Sequence, residues 1–226
     1  MVGAGVQARY QLEALLRVRG PGRIMVAARK PDQAEAYARE MSQRVGREIE
    51  VAPSIEALVR QSDLVITATP ADSPIVRGEW VRPGTHLTAM GSDMPHKREL
   101  EAGLLARAKV VVDRLSQCLT QGELHHAVDA DVLRAEDVYA ELGEIAAGMK
   151  PGRTSEEEIT IADLTGVGVL DAAVATAFAL GITVSVVQPV QTAMVPQLVP
   201  PRLHLTGIAL QNLSLQSSFF VGSPFR

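Results

Sequence analysis

The chain opens on Met1-Val-Gly3-Ala-Gly5-Val-Gln-Ala8, and this G-x-G-x-x-A run limits its fold more than any other feature. Gly3 permits a tight turn out of a strand. Gly5 lets a pyrophosphate approach the backbone, and Ala8 lets the following helix pack close to a sheet. The helix that starts near Val6 offers free N–H groups to phosphate. Such a run is weak evidence alone, but a second strand, Arg23–Ala28, follows about 20 residues on, as the mechanism requires. Gly3 and Gly5 are therefore candidate contacts to a dinucleotide. A first strand normally runs about 5–6 residues, and Met1 and Val2 are all of it that stands here. The expectation is a chain that begins inside its first core strand.

The pattern beyond it alternates. Arg9–Arg19 reads as helix and Arg23–Ala28 as strand. Pro31 suits a first helical position, and Asp32–Val45 continues it. Glu48–Ala52 reads as strand, and Ser54–Gln61 as a short helix capped by Ser54. Asp63–Ala68, His86–Met90 and Val110–Asp113 read as buried strands, being apolar runs bounded by polar turns. Strand–helix–strand at this spacing predicts an α/β fold, a doubly wound parallel sheet of the Rossmann type with right-handed crossovers. This domain is expected over residues 1–180, with an atypical tail over 181–226. From Gly181 onward the only charged residues are Arg202 and Arg226, and five prolines interrupt any period. An irregular tail, a shifted reading frame and an extra element all stay open for it.

Composition removes some function classes. The net charge is −4 with no basic block, so nucleic acid is not an expected partner. No run of about 18 apolar residues predicts a membrane span. No signal peptide is read at the start. With one cysteine, Cys118, no intrachain disulfide can form, and a reducing, cytoplasmic setting is the expectation. Cys118 itself reads as a small buried hydrophobe. His125 and His126 lack the ligand spacing of a zinc site, and as neighbours on a helix they do not share a face.

Two stretches bear on chemistry. Where an acid would accept the ribose 2′-hydroxyl of NAD, the second strand ends Ala27-Ala-Arg29-Lys30. Arg29 and Lys30 either pair with the 2′-phosphate of NADP or form a solvated loop; the reading leans to NADP. Asp93 follows the His86–Met90 strand, where open parallel sheets place their ligands. It either exchanges a proton with substrate or caps a helix starting near Pro95.

The stretch Gly84-Thr-His-Leu-Thr-Ala-Met-Gly-Ser-Asp93-Met-Pro-His-Lys97-Arg-Glu-Leu100 resembles the ornithine cyclodeaminase/μ-crystallin family. So do Leu64–Pro70, Gly122-Glu-Leu-His-His126, Glu141-Leu-Gly-Glu144, Pro151-Gly-Arg153 and Asp163-Leu-Thr-Gly-Val167. The wording looks most like the ectoine-utilisation cyclodeaminase branch. The resemblance covers about residues 1–178. It implies NAD(P)-dependent oxidation of an amino acid to an imine, loss of ammonia on ring closure, and return of the hydride. Relatives run only the reductive half, as imine or ketimine reductases, and a non-catalytic μ-crystallin-like nucleotide-binding protein is a further alternative. It implies Asp93 as acid–base, Lys97 on the nicotinamide side, and cofactor contacts at Val6, Gln7, Thr67, Leu87, Thr88, Ala89 and Met90. Lys97 as a plain surface lysine stays open. The partner is a small amino acid or imine, and full-length relatives are expected to be homodimers. A preceding substrate and dimerisation domain is expected to be missing, and Leu164 stands where a small polar residue is usual.

Overall fold

The computed structural model describes residues 1–166. The expectations about Val167, the domain's end near residue 180 and the 181–226 tail lie outside the described residues. Among the described residues seven strands form: β1 (Met25–Val26), β2 (Glu50–Val51), β3 (Leu64–Thr67), β4 (His86–Ala89), β5 (Lys109–Val112), β6 (Ala140–Glu141) and β7 (Thr160–Asp163). Every pairing between them is parallel, in a β1-β2 ribbon and a sheet of order β3-β4-β7-β5-β6. Val2 joins the two. It bridges Ala27 on one side and Thr67 on the other, through Val2 N to Ile66 O (2.8 Å), Ala68 N to Val2 O (2.9 Å), Gly3 N to Ala27 O (2.8 Å) and Ala27 N to Met1 O (3.0 Å). The spatial order is β2-β1-Val2-β3-β4-β7-β5-β6. The chain winds outward from Val2 in both directions, so the order reverses there, and the turn after Val2 opens at that reversal.

Helices cover the sheet as their apolar spacing dictates. On one face α1 (Val6–Val18) and α2 (Pro31–Val45) bury Ala8, Leu12, Tyr37 and Met41 against Ile24 and Val26. Pro31 opens α2 and Gly46 closes it at φ 65, the left-handed ending that glycine tolerates. On the other face lie α3 (Ile55–Arg60), α4 (Ala102–Leu105), α5 (Leu115–Cys118) and α6 (Gly122–Asp129). They pack Leu58, Leu104, Leu105, Cys118 and Leu124 onto Val65, Leu87, Val110 and Ile161. A short α7 (Leu142–Ala146) follows β6 and places Leu142 with Ile66, Met90 and Leu164 in a third, smaller cluster.

Several expectations need adjustment. Four of the five foreseen strands are shorter than their apolar runs, and the fifth, β5, is shifted by one residue to Lys109–Val112. α1 starts at Val6, where the glycine run places it, ahead of the Arg9–Arg19 helical pattern, and ends at Val18. No helix starts near Pro95: residues 94–97 form a turn closed by Lys97 N to Met94 O (3.0 Å). β6 and β7 were not foreseen, although β7 lies at the centre of the five-stranded sheet.

Candidate functional site

The strand order reverses at Val2, and in open α/β sheets a ligand crevice forms at such a point. Gly3 sits there at φ 105, and a Cβ on it would meet Ala68 O at 2.5 Å. Only glycine fits so close to the end of β3. Gly5 is the reverse case. It precedes α1 in extended conformation, and a Cβ on it would meet nothing within 4 Å. The space above Gly5, at the N-terminus of a 13-residue helix with no side-chain cap and no acid in its first turn, suits an anion. Arg9 fixes this turn from behind. Its Nη1 donates to Ala4 O (2.6 Å) and Gly5 O (3.0 Å), while Nη2 pairs with Glu40 of α2 (2.6 Å).

Around the crevice, Val6 is exposed and Gln7 half-buried, its Oε1 without a hydrogen-bond partner. Arg29 and Lys30 are exposed at the end of β1, on the side where a ribose would lie. Thr67 ends β3 fully buried. On β4, Leu87 and Ala89 point into the main core, whereas Met90 joins the small cluster with Ile66 and Leu164. Thr88 Oγ1 meets His86 Nε2 at 3.1 Å. Leu87 and Ala89 can therefore touch a ligand only through backbone. The glycine turn thus has clearance above Gly5 and an uncapped helix end, with Arg29 and Lys30 exposed past β1.

Asp93 and Lys97 stand together on the turn after β4. Lys97 Nζ donates to Asp93 Oδ1 at 2.5 Å, with the Asp93 side chain 54% exposed. The absent helix removes the capping reading of Asp93. The turn is pinned at its far end: Lys97 O accepts from Ser92 Oγ (2.5 Å) and from His126 Nε2 (2.7 Å). Since a carbonyl only accepts, the His126 proton sits on Nε2. Burial lowers the pKa of His126 below its ordinary value, which keeps that neutral donor form. His125 faces Asp129 instead, at 3.5 Å. Cys118 is buried with Sγ donating to Asp113 Oδ1 (3.2 Å), and burial pushes its thiol pKa up, away from nucleophilic use. No group of three or more His, Cys, Asp or Glu placed to hold a metal occurs among the described residues, nor a helix long and apolar enough to cross a membrane.

What sequence reasoning missed lies beneath this edge. Three buried carboxylates, Glu99, Glu123 and Asp163, form a series in which Asp163 holds the backbone of Glu123, Glu123 holds that of Glu99, and Glu99 holds the loops after β3 and β4. Asp163, ending β7, accepts from Glu123 N (3.1 Å) and Leu124 N (2.9 Å) at the start of α6. Glu123 accepts from Glu99 N (2.8 Å) and Leu100 N (2.9 Å). Glu99 accepts from Thr69 N (2.7 Å) and Thr69 Oγ1 (2.7 Å) on Oε1, and from Thr67 Oγ1 (2.6 Å) and Gly91 N (2.8 Å) on Oε2. The series ties the ends of β3, β4 and β7 to α6, and so sets the height of the turn carrying Asp93. Gly91 must be glycine, because a Cβ there would overlap Thr69 O and meet the Glu99 carboxylate at 2.5 Å. Gly122, at φ 88, would meet Asp163 at 2.7 Å. Burial and like charge push Glu123 up to about 8 and Asp163 to about 7. The available signal was an acid set beside apolar residues, as in Glu99-Leu, Glu123-Leu and Asp163-Leu.

Comparison with known proteins agrees with the fold. The family model for the ornithine cyclodeaminase/mu-crystallin family matches residues 1–179. An uncharacterized cyclodeaminase of Sinorhizobium fredii is 46% identical over 175 residues, 77% of this chain and 53% of the relative. An alanine dehydrogenase of Archaeoglobus fulgidus is 43% identical over 174 residues, again 77% and 53%. Among solved structures, the Thermococcus litoralis Δ(1)-pyrroline-2-carboxylate reductase in complex with NADH and L-proline superposes with a TM-score of 0.72 at 29% identity, covering 96% of this chain and 58% of the other. The chain spans about half the length of the curated relatives it matches.

Proposed function

Because the chain belongs to the ornithine cyclodeaminase/mu-crystallin family, we propose that it carries the nucleotide site of an NAD(P)-dependent enzyme acting at the α-carbon of an amino acid or its imine. The observation that carries this reading is the glycine turn at the reversal of strand order, with the Asp93–Lys97 pair on the neighbouring strand end. Gly3, Gly5, Val6 and Gln7 would hold the pyrophosphate, and Arg29 and Lys30 the ribose side. The backbone of residues 87–90 and the Thr67 end of β3 would face the nicotinamide. When bound, that ring exchanges a hydride with the α-carbon.

The chain's own residues supply the rest. Asp93, exposed on its turn, takes a proton from the substrate amine and returns one to the imine or leaving ammonia. Lys97 orients that carboxylate through its Nζ. Ser92 and His126 hold the Lys97 carbonyl, which keeps the pair in place. The full cycle is that of a cyclodeaminase: amine oxidation, ring closure with loss of ammonia, hydride return. Reduction of an imine is the same site run through its second half, and the likeness to a structure holding NADH and proline favours that reading. Activity, substrate and dimeric assembly belong to proteins about twice as long, and for this chain they are proposals.

The test is a titration with NADH and NADPH by fluorescence or calorimetry. A valine side chain at Gly5 would enter open space, so Gly5→Val should fold and melt like the parent while binding no nucleotide. Unchanged affinity in Gly5→Val would refute the site.

A further inference from the structure

Glycine at position 5 leaves room for a phosphate, and it also leaves the turn free to present the wrong atoms. We propose that Arg9 is a positioning residue of the nucleotide site, holding the Ala4–Gly5 peptide so that its N–H faces the pyrophosphate. The inference rests on the nucleotide reading above and names the residue that orients its phosphate turn.

Two peptide units border the space above Gly5. In a trans peptide the N–H and C=O point in opposite directions, so the direction of each carbonyl decides where its N–H goes. The Gly5–Val6 unit is set by α1 itself, because the carbonyl of an N-cap residue accepts the first intrahelical bond. The Ala4–Gly5 unit lies outside the helix. Turning it over would carry Gly5 from its φ of −80 to a positive value, which glycine adopts about as readily. The surrounding space would not resist, since a Cβ on Gly5 would meet nothing within 4 Å. A turned unit would aim the Ala4 carbonyl at the ligand and repel a phosphate.

Arg9 removes that freedom. Among the described residues its Nη1 is the one donor to Ala4 O, at 2.6 Å, and it also meets Gly5 O at 3.0 Å. The guanidinium is itself held. Nε donates to Glu40 Oε1 at 3.0 Å and Nη2 to Glu40 Oε2 at 2.6 Å. Its carbon lies 5.3 Å from the centroid of the Tyr37 ring, whose hydroxyl donates to Ala8 O at 2.9 Å. Both carbonyls are thereby drawn to the back of the turn, and the Gly5 N–H joins that of Val6 on the crevice side. Gly5 N has no acceptor among the described residues. Arg9 thus acts on a phosphate through the backbone of Gly5, with its own donors turned away.

The experiment compares ADP-ribose, which carries the pyrophosphate, with adenosine, which lacks it. Dissociation constants are measured by calorimetry and by amide spectra of the isotope-labelled chain. Arg9→Gln should weaken ADP-ribose by on the order of tenfold, the worth of a hydrogen bond to a charged group, and leave adenosine unmoved. ADP-ribose should shift the Gly5 amide resonance in the parent and not in Arg9→Gln. Arg9→Lys, whose ammonium can still donate to a carbonyl, should recover part of the loss. Unchanged ADP-ribose affinity in Arg9→Gln, or equal weakening of both ligands, would show that Arg9 only ties α1 to α2. If Arg9→Gln does not fold, Glu40→Ala decides, because Glu40 is exposed and its loss frees the guanidinium without removing it. Several-fold weaker ADP-ribose with adenosine unmoved supports the proposal there, and unchanged affinity overturns it. Failure of ADP-ribose and of both dinucleotides to bind the unmodified chain would instead remove the nucleotide reading itself.

Discussion

Asp93 and Arg29 are the residues whose chemistry is most directly open to measurement, since both side chains stand in solvent at the rim of the crevice. Asp93→Asn keeps the shape and removes the proposed base. In a form of the protein that turns over, the rate should fall by ~10²–10⁴-fold, the usual contribution of one placed proton-transfer group. Nucleotide affinity measured in parallel should not change. Full activity would reduce Asp93 to a partner for Lys97. We further expect NADPH to bind more tightly than NADH, and Arg29→Ala to close that gap by ~1–3 kcal/mol, the range of a hydrogen bond to a charged group. An NADH preference in the parent chain would reverse the assignment. These candidates could be picked out in the sequence because their positions follow from a pattern: glycines before a helix, and a charged residue three or four positions past a strand's end. Glu99, Glu123 and Asp163 were not. A buried acid looks locally like an exposed one, and what makes it tolerable here is backbone N–H groups supplied from 8 to 40 residues away.

Elements were legible where one segment decides its own structure. Ser54 is the clearest case: its Oγ accepts Ala57 N at 3.0 Å, and α3 begins one residue later. Ser54→Ala should cost ~0.5–2 kcal/mol in a denaturant or thermal melt, with nucleotide affinity unaffected because α3 lies away from the glycine turn. Pro31 and Gly46 mark α2 in the same way. β7 shows the opposite situation. Thr160-Ile-Ala-Asp163 is four residues with a charge at its end. What makes it a central strand is pairing with β4, 74 residues before it, and with β5. No local pattern encodes that insertion. The turn over 94–97 shows how a good local signal can lose: Asp93 before Pro95 suits a helix start. Instead Asp93 is bound by Lys97 and the Lys97 carbonyl by Ser92 and His126; two local contacts and the long-range one from His126 hold a single turn.

At the scale of the molecule the buried acids tie stability to pH. Glu123 and Asp163 have folded-state values of about 8 and about 7, above their ordinary 4.5 and 3.8. An acid whose pKa is raised by folding adds stability that is fully present below its unfolded value. That stability is lost as pH rises through the folded one. This contribution should therefore fall between about pH 5 and about pH 8. Glu123→Gln should flatten the decline in melting temperature over that window, even if its melting temperature is lower throughout. A decline of the same slope would place the titration elsewhere.

Val2 gives the sheet an uneven mechanical character. On one side of it β1 and β2 form a small plate with α2, and on the other five strands form a larger one. The hydrogen bonds through Val2 and its neighbours Met1 and Gly3 are the backbone seam between them. A dinucleotide lying across the reversal would touch both plates at once and act as a clasp over a narrow hinge. Its binding energy would then be spent partly on suppressing rotation about that seam. The amide hydrogens of Val2, Gly3, Ala27 and Ala68 would become the slowest-exchanging reporters of whether the clasp is closed.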